Sequence, residues 1–70
     1  MNNKKYYKVR LDLNKCADYP DLFKYKEFNG ELITRLNDTL VFNIGTYIEK
    51  FIYIPYNWIL WMIPIEEKDF

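Results

Sequence analysis

No histidine, serine or glutamine occurs anywhere in the 70 residues. Ser-His and Cys-His nucleophilic pairs are therefore excluded, as are His-based metal sites and the usual zinc ligand sets. The single cysteine, Cys16, cannot form an internal disulfide, and with no imidazole to activate it, it reads as a small filler residue. One thiol, and no basic-plus-apolar leader at the N-terminus, fit a cytoplasmic protein. Glycine occurs twice, at Gly30 and Gly45, and neither belongs to a phosphate-cradling loop. Carboxylates are present at Asp12, Asp18, Asp21, Glu27, Glu31, Asp38, Glu49, Glu66, Glu67 and Asp69, but in no calcium-loop spacing and no paired catalytic pattern. No catalytic residue, metal or cofactor is expected, and the chain reads as non-enzymatic.

What the chain has instead is bulk: 7 Tyr, 5 Phe and 2 Trp. Seventy residues make one domain, near the size where burial only just offsets chain entropy. Large side chains let so short a chain fill a core, and the composition argues against disorder. Net charge is zero but unevenly spread, +3 from Met1 to Arg35 (eight basic, five acidic) and −3 from Leu36 to Phe70 (two basic, five acidic). Mixed charge of this size is the mark of a solvated surface.

The longest uncharged stretch is Phe51 to Ile65, Phe-Ile-Tyr-Ile-Pro-Tyr-Asn-Trp-Ile-Leu-Trp-Met-Ile-Pro-Ile. Read as a strand after a turn at Pro55 to Asn57, it sends Trp58, Leu60 and Met62 one way and Ile59, Trp61, Ile63 and Ile65 the other, so both faces are apolar. Such a strand is normally covered twice, which a short chain seldom achieves at its last element. Hiding one Trp-bearing face is worth on the order of 10 kcal/mol gross, too much to leave wet in a marginally stable domain. As a helix the run would reach only about 22 Å against a hydrocarbon core of roughly 30 Å, and Pro55 and Pro64 interrupt it, so no membrane partner is expected.

Residues 1–5 are polar and expected to fray. Tyr6 to Leu13 is the clearest strand, with Tyr7, Val9, Leu11 and Leu13 facing the core and Tyr6, Lys8, Arg10 and Asp12 facing water. Asn14 to Asp21 has loop composition. Over 20–28, a short helix stopped by Asn29-Gly30 competes with a strand from Phe23 that turns at Asn29-Gly30 as a hairpin, and the immediate return of apolar residues at Leu32 favours the hairpin. Glu31 to Leu36, a turn at Asn37-Asp38, and Thr39 to Ile44 follow. Gly45 marks the next reversal; beyond it Thr46 to Glu49 fits a capping box while Tyr47 to Ile54 has strand composition. The whole is mainly β, or a small α+β unit with one short helix: a compact, strongly curved antiparallel sheet or partly open barrel spanning 1–70.

Tyr53-Ile54-Pro55-Tyr56-Asn57-Trp58-Ile59 resembles the last turn and strand of Src-homology-3 domains, where a strand runs into Pro-x-Asn-Tyr and a final strand. The resemblance implies a five-stranded barrel, with Pro55 and Trp58 on an aromatic surface that receives Pro-rich extended peptides and Asn57 bonding to ligand backbone. It covers seven residues, and the family's Ala-Leu-Tyr-Asp-Tyr opening and mid-chain Trp pair are absent.

The function expected is protein binding, as an inhibitor or accessory factor of the kind mobile elements encode. The partner is another protein or a second copy, met through Tyr53, Pro55, Tyr56, Trp58 and Trp61, residue types that dominate interface hot spots. The alternative is single-stranded nucleic-acid binding, with Lys8, Arg10, Lys24 and Lys26 on phosphates and Tyr6 and Tyr25 as stacking platforms.

Overall fold

The structure, a computed structural model, describes residues 4–16 and 26–70. Five antiparallel strands, β1 (Lys5–Leu11), β2 (Glu27–Leu36), β3 (Thr39–Asn43), β4 (Phe51–Pro55) and β5 (Ile59–Ile65), form one sheet in the order β4-β3-β2-β1-β5. The sheet is curled but not closed, so β4 and β5 are its edges. One-turn helix α1 (Leu13–Cys16) follows β1, and 3-10 turns cover Tyr56–Trp58 and Glu67–Asp69. The mainly β, curved antiparallel reading of the sequence therefore holds. The first 3-10 turn lies between β4 and β5, where the Src-homology-3 resemblance places its turn. The loop and helix-or-strand expectations for 17–25 lie outside the described residues.

β1 stops at Leu11 rather than Leu13 because Asp12 caps the next element. Its carboxylate accepts the Asn14 N–H at 3.0 Å and its carbonyl the Lys15 N–H at 3.0 Å. Asn29-Gly30 is not a turn. Both residues lie inside β2, Gly30 paired with Tyr7 and Asn29 with Lys8. Gly30 is there for space, since a Cβ would come 3.3 Å from both the Phe28 ring and the Phe42 Cβ. Those two rings meet edge to face at 5.3 Å, and their residues crowd the place where a side chain on residue 30 would stand. The reversal falls instead at Asn37-Asp38, where Asn37 takes φ 54°, a left-handed conformation that Asn tolerates better than most residues. Thr46 to Glu49 forms neither a helical turn nor a strand, and β4 begins at Phe51.

The core is a single layer of Val9, Leu11, Phe28, Leu40, Phe42, Ile52 and Ile54 on one face of the sheet, joined at its margin by Tyr7, Leu13, Leu32, Ile44, Trp58, Ile59 and Met62. β1 to β4 supply all seven from one side of each strand, as the period of two requires, and β5 adds only Ile59 and Met62 at the margin. On the opposite face, one row of paired residues crosses all five strands: Ile65, Tyr6, Glu31, Asn43, Phe51. Tyr6 in that row is buried, not wet, because the chain end folds back over it. The Phe70 ring stands 5.1 Å from the Tyr6 ring, and Asn29 Nδ2 donates to the Asp69 carbonyl at 2.9 Å.

Candidate functional site

The two-faced strand of the sequence is β5, and it is an edge strand rather than a doubly covered one. A bulge where Leu11 pairs with Ile59, directly after Arg10 with Trp61, leaves Leu60 without an opposite residue. The extra residue breaks the simple parity. Trp58, in the 3-10 turn, and then Ile59 and Met62 pack against the core, whereas Leu60, Trp61 and Ile63 are 58, 39 and 50% exposed. One indole is thus inside and one out.

Trp61 stands beside Arg10, and Arg10 beside Glu27; Ile63 stands beside Lys8, and Lys8 beside Asn29. The apolar strip is therefore rimmed by one compact charge cluster, with Arg10 Nη1 2.9 Å and Lys8 Nζ 3.5 Å from the Glu27 carboxylate. The Arg10 hydrogen bond, helped by the Lys8 charge, holds the Glu27 carboxyl below the usual carboxylate range against the opposing effect of burial. An apolar centre with a paired polar rim is the anatomy of a protein interface.

The other residues expected to bind a partner divide between the two edges. Tyr53 and Pro55 lie on β4, across three strands from Trp61, and Tyr56 follows at the start of the 3-10 turn. Tyr53 and Tyr56 are exposed, with the Arg35 guanidinium 5.7 Å from the centre of the Tyr56 ring. Asp38, Tyr56 and Asn57 line a shallow depression beside it, where the Tyr56 N–H donates to the Asp38 carbonyl. Trp58 belongs to the core margin, and its carbonyl accepts the Asp12 N–H at 2.8 Å.

Of the nucleic-acid candidates, Lys24 and Tyr25 lie outside the described residues, and Lys26 is exposed next to β2. Lys8 and Arg10 share Glu27, and Tyr6 lies under Phe70. Burial first, then the Glu67 and Glu31 carboxylates, push the Tyr6 phenol above its ordinary pKa. Among the described residues, these candidates assemble no cation-and-ring platform.

Sequence reasoning placed a reversal at Gly45, where the structure has one, but missed how the loop after β3 is held. Asn43, itself buried, accepts with its side-chain oxygen from the Gly45 N–H at 3.1 Å and the Lys50 N–H at 2.9 Å. A Cβ on Gly45 would collide with the Ile48 carbonyl oxygen, so the loop is tightly folded on glycine. Its tip carries Tyr47, fully exposed, and Ile48, 82% exposed. The signal was Asn43 two residues before a glycine, a side chain suited to capping turn N–H groups.

Among the described residues no helix is long and apolar enough to cross a membrane, and no three carboxylate or thiol groups are placed to hold a metal. Compared with known families, curated proteins and solved structures, the chain matches none.

Proposed function

We propose that this chain is a small non-enzymatic protein-binding module, an inhibitor or accessory factor, that engages another protein through the outward face of β5. The observation that carries the reading is the exposed Leu60, Trp61 and Ile63 on a strand with no charged residue. At about 200 Å² per large side chain they leave on the order of 300 Å² of apolar surface in water, the size of patch that marks interaction sites. Covering it is worth about 7 kcal/mol gross at roughly 25 cal/mol per Å², of which association entropy removes a large part. Trp61 is the anchor, wide enough to fill a pocket and flanked on the neighbouring strand by Arg10.

The test compares two immobilised proteins, wild type and the doubly substituted Trp61→Glu, Ile63→Lys chain, against the same cell extract with quantitative mass spectrometry. Both changes lie on the solvent side, so circular dichroism should show an unchanged fold. The expected result is a defined set of proteins retained by the wild type and lost by the variant. Identical retained sets would refute the assignment to β5. The paired state of Lys8 and Arg10 favours this reading over single-strand binding, because partner phosphates would first have to displace Glu27.

A further inference from the structure

We infer that two copies of this chain join through the free edge of β4, pairing antiparallel about a two-fold axis at Tyr53. The inference uses the other edge of the sheet and does not depend on the role proposed for β5.

The backbone decides which edge is available. At one end of the β3–β4 ladder the Ile44 N–H donates to the Lys50 carbonyl at 2.9 Å, and at the other the Tyr56 N–H donates to the Asp38 carbonyl. Between these ends Phe42 pairs with Ile52 and Leu40 with Ile54. Bonded pairs alternate along an antiparallel ladder, so the even residues of β4 bond to β3, and the N–H and C=O groups of Phe51 and Tyr53 turn outward. No other described strand lies on that side.

The same alternation closes the opposite edge. The Leu11 N–H donates to the Lys26 carbonyl at 2.7 Å, so odd residues of β1 bond to β2 and even ones to β5. Tyr6, Lys8 and Arg10 therefore bond Ile65, Ile63 and Trp61, and Pro64 lies outward with no N–H to offer. A proline in mid-strand blunts β5 against strand addition. In β4 the only proline is the terminal Pro55, the N-cap of the 3-10 turn, so the outward N–H groups of Phe51 and Tyr53 stay available.

Self-pairing at Tyr53 joins the centre of the β4 edge. Tyr53 of each copy exchanges both backbone bonds with Tyr53 of the other, and Phe51 of each copy falls opposite Pro55 of the other, where the missing N–H ends the ladder. On the outer face the rings of Tyr53 meet across the axis and Phe51 meets Pro55. Lys50, the nearest charge along β4, falls opposite Tyr56, whose ring Arg35 approaches, so the cations meet at the ends of the pair and none sits at its axis. The exposed apolar side chains gather along this edge: Tyr47, Ile48, Phe51, Tyr53 and Tyr56 are five of the ten large hydrophobics exposed among the described residues. Together they expose on the order of 700 Å² at about 200 Å² each when fully open, close to the roughly 800 Å² that each partner gives to a standard interface.

Sedimentation equilibrium from about 10 µM to about 1 mM, the range of a weak interface, reads the assembly. The expected result is a reversible dimer for the wild type. Because residue 53 faces itself, Tyr53→Lys and Tyr53→Glu proteins should each be monomeric, at least tenfold weaker in association than wild type. A one-to-one mixture of the two should dimerise, since Lys then faces Glu. Circular dichroism checks that both variants fold. A wild type that stays monomeric throughout, variants that dimerise as well as wild type, or a mixture that remains monomeric overturns the inference. Dissociation by Trp61→Glu with Tyr53→Lys still dimeric would place the contact on β5 and also overturn it.

Discussion

Replacing Gly30 by alanine tests whether that residue serves packing or backbone. At most strand positions Gly→Ala is stabilising by about 0.5–1 kcal/mol, because it restricts the unfolded chain and removes a residue poorly suited to a strand. Here the new methyl would stand 3.3 Å from the Phe28 ring and 3.3 Å from the Phe42 Cβ. Unstrained carbon pairs sit nearer 3.5–4.0 Å, and overpacking of this kind costs about 1–3 kcal/mol. The Phe42 Cβ is tied to a central strand, so only the Phe28 ring can give way, at the expense of its edge-to-face contact with Phe42. The net expectation is destabilisation by about 1 kcal/mol, a fall in Tm of about 4–8 °C for a domain this small. Phe28→Leu alone should cost a similar amount by thinning the core, but with the ring gone the methyl introduced by Gly30→Ala fits. Urea unfolding of wild type, both single variants and the double variant then gives a cycle in which the pair is less destabilised than the sum by about 1 kcal/mol. Strict additivity, or a stabilising Gly30→Ala, would refute the packing account and return Gly30 to a backbone role.

Phe70→Ala should destabilise by about 1–2 kcal/mol by uncovering Tyr6, and an ultraviolet titration should show the most alkaline tyrosine moving back toward its ordinary pKa. Asn43→Ala leaves the N–H groups of Gly45 and Lys50 without their acceptor, for a loss of about 1–2 kcal/mol and faster amide exchange at both, visible by NMR. Because the Glu27 pKa is lowered in the fold, its contribution is present above the unfolded carboxylate range and is lost as pH falls through the folded value. Glu27→Gln should therefore flatten the acid limb of stability against pH and leave the alkaline limb unchanged, as thermal melts from about pH 10 down to about 2 would show.

Much of the fold could be read from local chemistry. Asn37-Asp38 turns because the neighbouring runs alternate cleanly and Asn accepts a positive φ. Pro55-Tyr56-Asn57 breaks one strand and begins another because proline fixes φ at the strand end. The errors arose where a distant residue overrode a local one. Asn29-Gly30 has the best hairpin composition in the chain, yet Phe42, supplied by another strand, needs the glycine's missing side chain. Tyr6 sits on the polar side of an alternating strand, and its burial depends on Phe70 from the far end of the chain. Of the residues expected to bind a partner, Tyr53, Tyr56 and Trp61 are exposed, but the strand order that sets Tyr53 and Trp61 on opposite edges cannot be read from their spacing.

Pro64 shows how one residue fixes both the register of β5 and the character of its edge. In the observed pairing its missing N–H faces outward and costs no bond to β1. A one-residue slip would turn that position toward β1, removing a ladder bond worth about 1 kcal/mol. The slip would also exchange the faces, driving Trp61 and Ile63 into the core and Met62 out to solvent. The Leu60 bulge prevents the alternative at the other end by bringing Ile59 back to the core face opposite Leu11. The proline and the bulge thus select the same register, and that register leaves Trp61 and Ile63 outside. Their exposure follows from how the strand is held, because packing them inside would require the sheet to give up a hydrogen bond and its own core residues.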